Sequence, residues 1–233
     1  MTDTPRTFDW KPRHDPRSLA YTFAPPVKLA PVTRLWKQGT VLDQGSEGAC
    51  VGFGWTNMEL NGPFPRVPQY TTAQGESVAL ERYNEAKKID EYPGEDYSGT
   101  SVLAGAKVMQ QAGVITSYYW ATDIEGLQQA VQLHGPVVIG IPWYDNMYEA
   151  PGGRVTIGGT LVGGHCILVN GFSPSCMFNG KRGYGFRWRN SWGHTYGING
   201  SAWIRKEDLA VLISQQGEMC VPSRNVITNN TKG

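Results

Sequence analysis

The sequence predicts an α+β domain with a helical half followed by a strand half, and three observations carry this. Segments with helical spacing lie between Gly45 and His134, short apolar runs follow from Pro136, and 29 glycines with 15 prolines among 233 residues break the chain into many turns. A cleft between two such halves is a common place for an active site. The composition excludes disorder: apolar residues make up 40% and charged residues only 18%. A formal charge of +1, from 21 Lys+Arg against 20 Asp+Glu, argues against a broad nucleic-acid-binding surface.

Residues 1–29 carry scattered charges, prolines and no sustained period, which predicts an extended arm lying over the domain or trailing from it; residues 30–233 form the domain. The first helix is predicted through Cys50, Phe53 and Met58, with Asn61-Gly62-Pro63 as its stop and Cys50 in its first turn. A second helix is expected over 76–90, where Val78, Tyr83, Ala86 and Ile89 share a face. Ser101 to Ala112 gives a third, stopped at Gly113, and Asp123 to His134 a fourth. Strands are expected from Pro136 (PVVIGI), His165 (HCILVNGF), Tyr184 (YGFRWRN) and Ser201 (SAWIR). The longest apolar stretches fall far short of the ~20 residues that span a bilayer. The N-terminus lacks the apolar core of a secretory signal, so the chain is expected to be soluble, without a membrane partner, and cytoplasmic or delivered within a phage or secretion assembly.

Three places offer chemistry. A thiol at a helix start feels unpaired backbone N–H groups that favour the thiolate, so Cys50 is a candidate nucleophile, although a lone cysteine there is more often a small buried residue. Gln44 can offer a side-chain N–H to an oxyanion, and Gly45, Gly48, Gly52 and Gly54 are expected to keep bulk away from the sulfur. His165, in GGHCILVNGF, can face the cleft from a strand; His134 reads better as a helix C-cap. Asn190, in RNSWGHTYGINGSAWI, can accept the far N–H of an imidazole while Trp192 shields that bond. Each place alone also fits ordinary structure. The four cysteines show no zinc-ligand spacing, and no metal or cofactor is expected.

Together, DQGSEGACVGF, GGHCILVNGF and RNSWGHTYGINGSAWI resemble, in order and local wording, the signature blocks of the papain-like cysteine peptidases, over about residues 30 to 215. The resemblance implies a papain-like two-subdomain fold, with the active-site cleft between a helical half and an antiparallel-sheet half. It implies a thiol-dependent endopeptidase acting on peptides or proteins, with Cys50 as nucleophile, His165 as general base, Asn190 as its orienting partner and Gln44 with the Cys50 amide as oxyanion hole. Ser98, Gly99 and Thr100 match the segment that pairs with extended substrate, and Gly163, Gly164 and Leu161 are expected nearby, leaving room for an apolar side chain. The sequence departs from the family where Glu47 replaces a disulfide cysteine and Val51 a tryptophan, so one bridge must be absent; Cys166, Cys176 and Cys220 are then expected to be free thiols. These departures are similar to bacterial or phage-type members. The arm is too short for the family's long helical propeptide and is expected to be a structural strap or a contact to an assembly partner rather than a removable inhibitor. The alternative function is a weak or inactive papain-fold structural protein.

Overall fold

The structure, a computed structural model, describes residues 6–12, 21–23, 29–63, 65–92 and 98–224. The helical half holds α1 (Cys50–Leu60), α2 (Thr72–Ile89) and α3 (Val102–Gln111). Helix α1 buries all eleven of its residues, Thr56, Asn57 and Glu59 among them. Its single carboxylate, Glu59, is neutralised by Arg82 of α2 and by Arg66. A Cβ on Gly52 would lie 2.1 Å from the Ala79 carbonyl oxygen of α2, so the missing side chain lets the two helices touch at their backbones. Gly54 gives the same clearance to the Cys166 sulfur. These two glycines therefore serve packing within the domain rather than approach to Cys50, as the sequence had suggested.

Helix α2 starts four residues before the predicted Glu76, because Thr71 and Gln74 close a reciprocal capping box. Ser101 caps α3 and Asp123 caps α4 (Ile124–Leu133), each accepting a backbone N–H of the first turn, and His134 stands at the α4 C-cap as expected.

The strands form one antiparallel sheet in the order β2-β7-β3-β4-β5-β6, with the short β1 (Arg34–Leu35) paired to β4. Their ranges are β2 Ser117–Trp120, β3 Val137–Tyr144, β4 Leu161–Phe178, β5 Lys181–Arg189, β6 Ser201–Arg205 and β7 Glu218–Ser223; α5 (Lys206–Ser214) joins β6 to β7. Four elements that the sequence did not reveal, β1, β2, α5 and β7, complete the sheet half. β7 is six residues long and contains a glutamate and a proline, weak local signals for a strand that nonetheless pairs with both β2 and β3.

Both faces of the sheet are covered, which explains the unbroken apolar runs of β3 and β4. Ile139, Ile167 and Met219 share one cross-strand row and point, with Val137 and Val169, into the core containing Leu127 and Val131 of α4 and Leu209 and Leu212 of α5. Val138, Leu168 and Cys220 share the next row and point the other way, into the core with Val51, Trp55, Val102 and Met109 of α1 and α3. Among the described residues no helix is long and apolar enough to cross a membrane.

Candidate active site

Asn190 follows directly on β5, and its backbone N–H is fixed by the Gly200 carbonyl at 3.0 Å. Gly193, Gly197 and Gly200 adopt positive φ in the turn behind it, as their type allows. The Asn190 Oδ1 accepts the Ser191 backbone N–H at 2.7 Å, which identifies that atom as the oxygen. It also lies 2.8 Å from His165 Nε2, so Nε2 carries the proton and donates. In the neutral ring the lone pair is then on Nδ1, which is buried and has no hydrogen-bond partner among the described residues. Trp192 stacks on the imidazole at 4.8 Å and 27°, and Trp143 meets it edge-on at 4.7 Å. His165, Asn190 and Trp192 are thus brought together as the sequence suggested.

Cys50 is the first residue of α1 and is fully buried. Burial pushes its thiol up to about 11, with the Asp9 carboxylate adding to the rise, while backbone groups of Cys166, Asp9 and Val51 pull in the opposite direction. The Cys50 sulfur therefore lies against the amide that follows His165. Burial also drives His165 down to about 4, against the opposing pull of its bond to Asn190; nearby Arg6 lowers it further. Gln44 is buried, its backbone N–H held by the Ser191 carbonyl and one side-chain N–H given to Glu47 at 2.8 Å. All four cysteines are free and buried.

The arm is where the structure adds most. Residues 6–12 run through the cleft between the two halves. Lys11 N–H donates to the Thr100 carbonyl and Thr100 N–H to the Asp9 carbonyl, both at 3.1 Å, a parallel bridge; Trp10 N–H donates to the Gly164 carbonyl at 2.9 Å. Ser98 donates to the Asp9 carboxylate at 2.6 Å. Gly99, at φ 91°, leaves room for Asp9, and Gly163 and Gly164 leave room for Phe8 and Trp10. Phe8 sits edge-on to His165 at 5.7 Å and to Trp192 at 5.7 Å, and Arg6 lies over Trp192 while pairing with Asp43 at 2.8 Å. Ser98, Gly99, Thr100, Gly163, Gly164 and Trp192 therefore all line one groove, and its occupant is the chain's own arm. Leu161 stands apart, over half exposed at the start of β4. Among the glycines around Cys50, Gly48 faces Asp9 and Ser98, and the Gly45 carbonyl accepts from Arg6 of the arm at 3.4 Å.

Sequence reasoning missed Phe8, Asp9, Trp10, Trp143 and Glu218. The run FDW in an arm otherwise rich in proline and arginine was the available signal, but extended chain gives no local clue to the surface it will cover.

No family model and no curated protein matches this sequence. The fold is that of the papain-like cysteine proteases. Xylellain, a cysteine protease from Xylella fastidiosa, superposes with a TM-score of 0.57 at 20% identity, covering 94% of this chain and 91% of its own. The ragweed pollen cysteine protease Amb a 11, solved in its proform, gives 0.58 at 18% over 90% and 70%. Digestive procathepsin L 3 from Tenebrio molitor larval midgut gives 0.52 at 16% over 87% and 74%.

Proposed function

We propose that this protein is a thiol-dependent endopeptidase, and the observation that carries the reading is the His165–Asn190 bond under Trp192, which leaves Nδ1 as the basic nitrogen in a domain that also places a cysteine at a helix start. In the cycle, His165 Nδ1 takes the Cys50 thiol proton and the sulfur attacks the scissile carbonyl carbon. Gln44 and the Cys50 backbone N–H stabilise the oxyanion. The imidazolium then protonates the leaving amine as the C–N bond breaks, and water, deprotonated by His165, cleaves the thioester. Two of the structurally similar proteases are described as proforms.

Residues 6–12 hold this machinery in a closed form. The backbone of Asp9 turned toward Cys50 stabilises a negative sulfur, as an N–H does, while the Asp9 carbonyl is engaged by Thr100. The arm thus fills the groove without offering that carbonyl for attack. In this closed form burial holds the thiol up at about 11 and the imidazole down at about 4, the Asp9 carboxylate and Arg6 of the arm each adding to its neighbour's shift, so proton transfer to form the ion pair is strongly disfavoured. This reading replaces the strap expected of the arm with a removable plug.

The test is labelling of Cys50 by an epoxide-type thiol inhibitor, followed by intact mass, together with turnover of a dipeptidyl-dye substrate after incubation of the pure protein. Labelling at Cys50 and turnover that is absent in Cys50→Ala are expected. A Cys50 that stays unreactive even after the arm has been cut away near residue 30 overturns the enzyme in favour of an inert papain-fold protein.

A further inference from the structure

Trp143 occupies a place on β3 that the sheet aims at the imidazole. Ile141 is the cross-strand partner of His165 and Trp143 that of Gly163, so the two-residue period puts Trp143 on the face of His165, as its diagonal neighbour. Gly163 has no side chain, and the space across from the indole is left to Phe8 of the arm. The imidazole and the Trp192 ring stack at 4.8 Å and 27°. Trp143 stands nearly perpendicular to both, at 4.7 Å and 76° from the imidazole and at 5.2 Å and 77° from Trp192. The two indoles thus form a corner: Trp192 covers one face of the imidazole and Trp143 closes a second side. Trp188 braces the corner at 5.7 Å from Trp143, and all four side chains are buried.

The Trp143 indole N–H is buried and has no hydrogen-bond partner among the described residues, so this side chain acts through shape and packing alone. That matters because the Asn190 bond holds one atom of the imidazole, Nε2. A ring pinned at one atom can still swing about that point or turn about its Cβ–Cγ bond, and either motion carries Nδ1 off line. Two flat walls at right angles remove both motions.

We propose that Trp143 is a positioning residue for His165, the second wall of an indole corner that keeps Nε2 on Asn190 and holds Nδ1 in one fixed place as the base. The proposal rests on the thiol-peptidase reading above. It assigns to packing a task that a single hydrogen bond cannot complete. The charged groups facing the Cys50 and His165 side chains are Asp9 and Arg6 of the arm, and the Cys166 thiol lies close to that of Cys50. None of these changes in the variants that test Trp143.

The experiment compares Trp143→Phe, which keeps a flat wall, with Trp143→Met, which fills the space with a flexible apolar chain; neither forfeits a hydrogen bond. The first readout is the imidazole nitrogen spectrum of the full-length, nitrogen-15-labelled protein, with the His165 signals assigned by their loss in His165→Gln. Wild type and Trp143→Phe should show one tautomer, protonated on Nε2. Trp143→Met should show broadened or averaged His165 signals while the other three histidines stay unchanged, an outcome that loss of packing alone would not confine to His165. The second readout is the pH dependence of Cys50 alkylation by iodoacetamide in a Trp10→Ala background. Added Trp143→Met should slow alkylation about tenfold or more near pH 6 and change it little near pH 9, moving the acid limb up in pH, whereas Trp143→Phe should stay close to its parent. Equal behaviour of the Met and Phe variants, or a single Nε2–H tautomer in both, overturns the proposal. Should Trp143→Met fail to fold, Trp143→Leu takes its place, and mixed tautomers in Trp143→Phe are by themselves enough to overturn it. A Cys50 that is inert in Trp10→Ala, or alkylates as an ordinary thiol with a limb near about 8.5, sinks the nucleophile reading instead, and the imidazole spectrum then decides the role of Trp143 on its own.

Discussion

The two faces of the central sheet are both buried, yet they are equipped for different tasks. On one, His165 is enclosed by the rings of Trp143 and Trp192, with Trp188 and Tyr196 behind them. On the other, Cys166, Cys220 and Glu218 line a slot against α1 and α3. His165 and Cys166 are chain neighbours, and the two-residue period of a strand sends them to opposite sides. The aromatic face encloses the imidazole; the helical face holds the Trp10 indole of the arm. A one-residue register slip would exchange them, which is why the long pairing of β3 with β4 matters to the chemistry.

The arm bridges the two faces, Phe8 packing on the first and Trp10 on the second. The largest effect is expected where the two halves meet. Cys50→Ala should abolish turnover by more than about a thousandfold with the fold intact, checked by dye-substrate kinetics and circular dichroism.

Trp10→Ala attacks the helical-face anchor. Truncating a buried tryptophan costs about 3–5 kcal/mol, here charged largely to the closed form. Alkylation of Cys50 should accelerate by about a hundredfold or more, measured at fixed pH against wild type. If Phe8→Ala releases Cys50 as strongly, the aromatic face contributes equally to closure.

The aromatic face has its own signature in pH. With its pKa depressed to about 4 from 6.5, buried His165 supports the closed form above about pH 6.5, and this support is lost as pH falls through 4, because the open or unfolded chain takes up a proton that the closed form refuses. The loss is about 3 kcal/mol at most. Denaturant titrations at pH 7 and pH 4.5 should show it, and His165→Gln should remove that part of the pH dependence.

The smallest effect expected is that of Asn190→Ala, which leaves the base in place but unoriented. Turnover should fall by about ten- to a hundredfold. Because the Asn190 bond raises His165, the limb of the pH–rate profile governed by His165 should also move to lower pH, a shift that a purely structural role would not produce.

Much of the site was legible because its chemistry is local. Cys50 at a helix start, Asn190 at a strand end and the glycine turn behind it are each set by a few neighbouring residues. The roles of Gly52 and Gly54 were misjudged for the opposite reason: each owes its absent side chain to an element distant in sequence, α2 in one case and β4 in the other. The N-terminal bounds of α2 were in the sequence as a Thr71–Gln74 box, and periodicity alone passed over them.

The sequence by itself determined the α+β class, the order of helices before strands and the residues able to act as nucleophile, base and orienting amide, because periodicity, caps and turn glycines act over a handful of positions. Only the tertiary structure decided that the arm lies in the cleft and that Glu218, Gly140 and Cys166 share a row. Those arrangements depend on pairing between segments far apart in the chain, where the favourable contact is a property of the assembled surface and leaves no periodic trace in either segment.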